Sequence, residues 1–253
     1  MSFVQPKKKL GQHFLTDHNI ARKIVDSLDT GTPNVLEIGP GTGVLTQFLL
    51  QRSDINLKAI EIDLEAIAYL GARYPQLNIV SGDFLKIGFE DLFPDKFRII
   101  GNFPYYISSQ IFFKVLEFNY QVPEVICMVQ KEVAERIAAP YNSKTYGILS
   151  VLLQTYYDIK YLFTVPESVF YPPPKVKSAV IQLVRNNRQE LPCNEKFYIK
   201  VVKTAFQQRR KMLRNSLATL SNSLPEKWAT KRPEQLAITD FIDIAVLIEN
   251  LEN

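Results

Sequence analysis

Short apolar runs alternate with amphipathic ones through the first half of the chain. Asn34–Ile38, Leu57–Ile62, Asn78–Val80, Arg98–Ile100 and Val125–Val129 have the length and composition of buried strands. Between them, Leu45–Gln51, Leu64–Arg73, Gln110–Phe118 and Lys131–Ala138 carry apolar positions at helical spacing. Strand–helix alternation predicts a parallel, doubly wound sheet. Later, Ile159–Thr164 and Val176–Val184 predict two more strands, seven in all. The segment joining them, VPESVFYPPPK, is too short and too rich in proline for a helix, so these two strands are expected to be antiparallel neighbours.

After Arg185 the pattern changes. NNRQELPCNE reads as a linker, and from Glu195 onward the periodicity is helical. The expected boundary divides an α/β domain, residues 1–186, from a small all-α domain, residues 187–253. A mostly parallel seven-stranded sheet with one late antiparallel strand is, by analogy, the Rossmann-like class I methyltransferase pattern.

Composition narrows the chemistry. The 253 residues are 46% hydrophobic, enough for one large domain and a small appendage. No apolar run has the length of a membrane span. The basic N-terminal stretch is not followed by an apolar one, so no secretory signal is expected. Cys127 and Cys193 are too few and too far apart for a disulfide framework or a cysteine-rich metal site. His13 and His18 are the only histidines, which argues against a zinc site or a Ser-His-Asp triad. No metal is expected, and the compartment is expected to be the reducing cytoplasm. A net charge of +4 leans towards a nucleic-acid partner.

VLEIGPGTGVLT places Gly39, Gly41 and Gly43 straight after the first of these strands. The dinucleotide fingerprint needs a glycine at position 44, where Val44 stands. The loop is either a tight strand–helix turn or a cradle for an uncharged amino-acid and ribose moiety. Glu61, ending the second strand, can accept from ribose hydroxyls. Asp83, after the third, either caps a helix or accepts from an adenine amino group. Three such features at successive strand ends favour a nucleoside cofactor, S-adenosylmethionine being the choice.

The next strand leads into GNFPYYISS. An exocyclic amine is a poor nucleophile because its lone pair is delocalised into the ring. Acceptors at the Asn102 side-chain oxygen and the Pro104 carbonyl would draw it towards tetrahedral geometry. Tyr105 can stack on the base, an interaction of roughly 1–3 kcal/mol. The rival account is an ordinary Asn-x-Pro turn with core aromatics. Phe170, on the proline-stiffened loop, is a second stacking candidate or else simple packing.

Between Lys196 and Pro225 the chain carries Lys196, Lys200, Lys203, Arg209, Arg210, Lys211 and Arg214 and no acid. Ile199, Val202, Phe206, Leu213 and Leu217 predict one apolar stripe on a helix, with a positive face beside it. The charges make either a solvated face or a phosphate-binding one. Lys7–Lys9 is expected to be a flexible arm adding to the same field.

These motifs together resemble the ribosomal RNA adenine dimethyltransferases. The resemblance rests on KKKLGQHFL, LEIGPGTGVLT, IEID, GDF, NFPY, FYPPPKVKSA and AFQQRRKMLRNSL. It implies an S-adenosylmethionine-dependent enzyme that dimethylates N6 of two adjacent adenosines near the 3′ end of small-subunit (16S) ribosomal RNA during subunit assembly. It implies cofactor contacts at His13, Leu15, Gly39, Glu61, Asp83 and Asn102, catalysis by Asn102, Pro104 and Tyr105, and a base held by Tyr105 and Phe170. It makes residues 1–186 the methyltransferase domain and 187–253 an RNA-binding domain using Lys200, Lys203, Arg209, Arg210, Lys211 and Arg214. The expected partner is the RNA of the 30S precursor, met by a monomer and away from membranes. His13 stands where many relatives have Asn, and Phe103 where Leu is common. The rivals are a large-subunit RNA adenine N6-methyltransferase, a dinucleotide-dependent dehydrogenase, and an assembly factor whose binding outweighs its chemistry.

Overall fold

A computed structural model describes residues 4–29 and 31–252. A two-residue strand, Phe14–Leu15 (β1), leads into His18–Val25 (α1), whose N-cap Asp17 accepts from the amides of Asn19 and Ile20. Then follow Asn34–Ile38 (β2), Thr46–Leu49 (α2), Asn56–Glu61 (β3), Leu64–Arg73 (α3), Asn78–Ser81 (β4) and Arg98–Asn102 (β5). Ser108–Glu117 (α4), Glu124–Gln130 (β6), Lys131–Ile137 (α5), Ile148–Tyr156 (α6), Tyr157–Val165 (β7), Phe170–Tyr171 (β8) and Ser178–Arg185 (β9) come next. The seven strands expected from the apolar runs are all present, with ends shifted by up to two residues.

They form one sheet in the order β4-β3-β2-β5-β6-β9-β7. The pairs β2–β3, β2–β5, β3–β4 and β5–β6 are parallel, while β9 runs antiparallel to β6. This is the class I methyltransferase fold. The chain order reverses between β2 and β5, and the crevice above that switch point is where an open α/β sheet binds its ligand. Central strands are apolar on both faces: Val35, Leu36, Ile99, Ile100, Val125, Ile126, Val180 and Ile181 are fully buried.

Gly101 lies inside β5, one residue before its end. A Cβ built there would lie 2.6 Å from the Ile38 carbonyl oxygen, so only glycine lets the end of β2 come this close to β5. That approach sets the glycine loop beside Asn102.

At the opposite end of the sheet lies a buried charge cluster. Arg98 and Glu124 open β5 and β6 and are 3.8 Å apart, both almost inaccessible. Gln182 Nε2 donates to Glu124 at 2.7 Å, the Asp29 amide donates at 3.3 Å, and Arg98 donates to the Asp29 carbonyl.

The chain divides into two compact units, residues 1–134 with 158–185, and residues 135–157 with 186–253. The sequence boundary at 186/187 thus differs from the structural grouping by the segment 135–157. That segment carries α6, in which Leu149, Ser150, Val151, Leu152, Leu153, Thr155 and Tyr156 are all buried, leaving no polar stripe to mark a helix. It joins the second unit because Thr155 Oγ1 meets the Tyr198 hydroxyl at 2.8 Å and the Tyr156 hydroxyl donates to Glu195 at 2.7 Å.

The second unit continues with Glu195–Gln207 (α7), Leu213–Ser216 (α8), Glu226–Ala229 (α9) and Ile238–Glu252 (α10). One helix spanning 196–217 is therefore not what forms. The chain leaves the helix at Gln208, turns, and re-enters at Leu213, whose amide donates to the Lys231 carbonyl at 2.8 Å. The buried face of α7 is Tyr198, Val201, Val202 and Ala205, with Phe206 stacked on Phe241. Leu213 and Leu217 are buried from the second, separate helix. Lys200, Lys203, Arg210, Lys211 and Arg214 are exposed. Among the described residues no helix is long and apolar enough to cross a membrane.

Candidate active site

The strand ends at the switch point open onto a cavity of about 330 Å³. Its wall takes Ile38, Gly39 and Gly41 from the β2 end, Glu61 from β3, Gly82 and Asp83 beyond β4, and Asn102 to Tyr106 beyond β5. The N-terminal segment Leu10–Phe14 forms the remaining side. His13, Gly39, Glu61, Asp83, Asn102, Pro104 and Tyr105 are thus brought to one place from five separate stretches of chain.

The wall is built to admit a ligand. A Cβ on Gly39 or Gly82 would meet nothing within 4 Å. Gly41, at φ +57°, has the Phe14 ring 2.9 Å from where its Cβ would be. The glycines there serve both the left-handed turn and the close approach of the N-terminal segment.

Glu61 is buried at 5% exposure, and burial raises its pKa above the ordinary carboxylate value. One oxygen accepts from the amides of Ile62 at 2.8 Å and Asp63 at 2.9 Å, the other from Gly41 at 3.1 Å. A carboxylate offers about four lone-pair sites, so one remains for a ligand hydroxyl, where the sequence suggested room for two. Glu37, fully buried behind the loop and pushed up to about 8 by burial, accepts from Thr46 Oγ1 at 2.7 Å. Asp83 does both things proposed for it in part: it lines the cavity, and its Oδ1 accepts from the Leu85 amide at 3.0 Å, capping a turn and not a helix.

Asn102 has a defined orientation. Its Nδ2 donates to the His13 carbonyl at 3.0 Å, which leaves Oδ1 as a free acceptor at the cavity. The Pro104 carbonyl accepts from the Ile107 amide at 3.2 Å and keeps its second lone pair. Tyr105 is held at both ends: its hydroxyl meets Ser178 Oγ at 2.6 Å, and the His13 ring stacks on it at 5.6 Å and 24°. Burial raises the Tyr105 pKa, so the phenol stays neutral. Phe103, buried at 1%, packs against Phe112.

The N-terminal segment is anchored, not free. Phe14 and Leu15 pair with Tyr171 and Phe170, and His13 Nδ1 donates to the Pro172 carbonyl at 2.7 Å. With Nδ1 spent as a donor to that carbonyl, only Nε2 of the ring is left to meet a ligand. Lys7 is tied to Asp63 at 2.5 Å and Glu65 at 3.2 Å, which overturns a flexible arm at that residue. Leu15 is buried in the core and borders only a smaller recess behind the glycine loop. Phe170 packs in the same core, 4% exposed, and does not line the cavity; strand alternation turns Tyr171 outward in its place. Gln12, Phe84 and Tyr106 also line the cavity; they lie within the sequence motifs but have no role assigned there, and Leu85, which lines it too, lies outside them, with no periodicity to single it out.

A family model described as ribosomal RNA adenine dimethylase matches residues 4–248. The chain is 55% identical to ribosomal RNA small subunit methyltransferase A of Cytophaga hutchinsonii, across 98% of this chain and 99% of that one. It is 56% identical to the protein of the same name in Flavobacterium johnsoniae, across 98% of each. Among solved structures it is similar to a dimethyladenosine transferase from Plasmodium falciparum, at a TM-score of 0.78 and 26% identity, covering 95% of this chain and 98% of that one. The 23S rRNA methyltransferase ErmE shares the fold, at a TM-score of 0.67 and 23% identity, covering 91% of this chain and 99% of that one.

Proposed function

The chain belongs to the ribosomal RNA adenine dimethylase family, and from that premise we propose that it dimethylates N6 of two adjacent adenosines near the 3′ end of small-subunit (16S) ribosomal RNA. The carrying observation is Asn102, which lines the cavity with its amide nitrogen spent on the His13 carbonyl, so that its oxygen is left as the acceptor. Asn102 Oδ1 and the Pro104 carbonyl accept from the target NH2, localise its lone pair and fix its direction. Tyr105, braced by Ser178, presents a rigid face to the base. No strong general base is required, because the proton leaves after transfer. The rate gain is positioning and electrostatics.

S-adenosylmethionine fits the strand-end cradle and supplies an electrophilic methyl group. Gly39 and Gly82 leave room for it, and Glu61 offers its last lone pair to a ribose hydroxyl. Asp83, which lines the cavity, would accept from the adenine amino group. His13 contributes through its backbone carbonyl, by orienting Asn102. Because the Glu61 pKa is raised, cofactor affinity should fall on acidification from a pH above the ordinary carboxylate range. Glu61→Gln should weaken binding about tenfold at pH 8 and remove this dependence. Calorimetric titration from pH 5 to 8 checks it, and an identical pH profile in both proteins would count against the assignment.

The substrate form proposed is the 30S precursor in the cytoplasm, met by a monomer. Lys200, Lys203, Arg210, Lys211 and Arg214 supply phosphate contacts from the helical unit. The small-subunit names of the 55% identical relatives support this substrate over large-subunit RNA. The test is methyl transfer to undermethylated small subunits, with the modified nucleotides mapped. Arg210→Met with Arg214→Met should weaken RNA binding and lower the slope of log K against log salt by about two. Modification elsewhere, or an unchanged slope, refutes the respective part.

A further inference from the structure

Arg209 sits in the basic segment, yet its guanidinium is already committed. Nη2 donates to the carbonyls of Ser143 at 3.4 Å and Lys144 at 2.5 Å, and Nε lies 3.8 Å from the Glu234 carboxylate. The same loop is pinned twice more. The Asn142 amide donates to the Glu234 carbonyl at 2.6 Å, and Ser143 Oγ donates to the Pro140 carbonyl at 2.8 Å. Asn142 has φ +66°, the one positive φ outside glycine among the described residues. Backbone of that kind persists where its surroundings over-determine it, and such places cluster at functional sites.

These contacts fix the backbone on both sides of a ring that lies outside the core. Tyr141 is 56% exposed. Lys144 on the loop is exposed, as are Arg210 and Lys211 next to Arg209 in sequence. A rigid exposed aromatic flanked by cations is how proteins hold unpaired nucleic acid, the ring stacking on a base and the cations meeting phosphates.

We propose that Pro140–Lys144 is an RNA-binding platform. Tyr141 stacks on an unpaired base of the RNA substrate, Lys144, Arg210 and Lys211 meet its phosphates, and Arg209 is a positioning residue, not a phosphate contact. This rests on the reading of the chain as an RNA methyltransferase.

The test is methyl transfer to undermethylated small subunits at several salt concentrations. Tyr141→Ala should raise the half-saturating RNA concentration about tenfold, with kcat within about twofold of wild type, and Tyr141→Phe should restore it. Lys144→Met should lower the salt slope by about one. Arg209→Met should raise the half-saturating concentration as Tyr141→Ala does, keep the wild-type salt slope, and add nothing when combined with it. The platform is overturned if Tyr141→Ala leaves RNA saturation unchanged; being at an exposed position, that variant reads out even if Arg209→Met fails to fold. Arg209 as a positioning residue is overturned if its loss lowers the salt slope by about one, or if the two variants' effects multiply. A wild-type protein that methylates no RNA would overturn the functional reading instead.

Discussion

Asn102→Ala should lower the single-turnover rate of methyl transfer about a thousandfold, the scale on which loss of one preorganised polar contact at a reacting centre is felt. In the proposed mechanism the Asn102 oxygen aims the amine and contributes little to holding the RNA, so the loss should fall on kcat. Asn102→Asp separates the two jobs of the side chain. A carboxylate can accept from the amine, but it cannot donate to the His13 carbonyl, which accepts from Nδ2 at 3.0 Å. Its rate should lie between those of alanine and wild type, with the side chain no longer held in register. RNA binding by the alanine variant, measured by filter retention, should stay near wild type. Full turnover in Asn102→Ala would sink the amine-orienting mechanism.

Arg98→Met should lower the unfolding free energy of the α/β unit by about 3–5 kcal/mol, without touching the cavity. Glu124 is 4% exposed and its pKa is already raised by burial, with Arg98 as its cation at 3.8 Å. Removing the guanidinium strands a buried carboxylate that only Gln182 and the Asp29 amide still serve. The pH dependence has a definite sign. A carboxyl whose folded pKa lies above its unfolded value is favoured protonated in the fold, so its penalty grows as pH rises and fades on acidification. The deficit of Arg98→Met should therefore be larger at pH 8 than at pH 5. Replacing both partners, Arg98→Met with Glu124→Leu, should recover most of the loss. Urea unfolding followed by circular dichroism reads all three variants; a deficit independent of pH would show that the charge on Glu124 is not its source.

Much of the fold is written in local pattern. β2 and α3 have the limits that apolar runs and helical spacing assign to them, because a central strand must be apolar on both faces and a helix lying on a sheet must not. α6 escaped for the complementary reason: it is buried on nearly every side, so burial erases the period by which a helix is recognised. The break after Gln207 escaped too, since neither proline nor glycine marks it, and the re-entry at Leu213 is held by a bond to Lys231, eighteen positions on.

The site divides the same way. Residue identity and position along the chain determined the glycine loop, Glu61, Asp83 and the Asn-Phe-Pro-Tyr segment, because each follows directly on a strand, and strand ends at the switch point are where such chemistry can act. What a side chain has left to offer is a matter of which bonds it has already made, and tertiary structure alone decided that. Glu61 keeps one lone pair of the expected set, and the Asn102 amide nitrogen is held by a carbonyl 89 positions earlier in the chain, which leaves its oxygen as the acceptor. Phe170 goes to the core, and the Arg209 charge is spent on two carbonyls. Hydrogen-bonding capacity is finite and is shared among residues far apart in sequence, so a motif names the groups that can react, and the fold settles which of them are still free to do so.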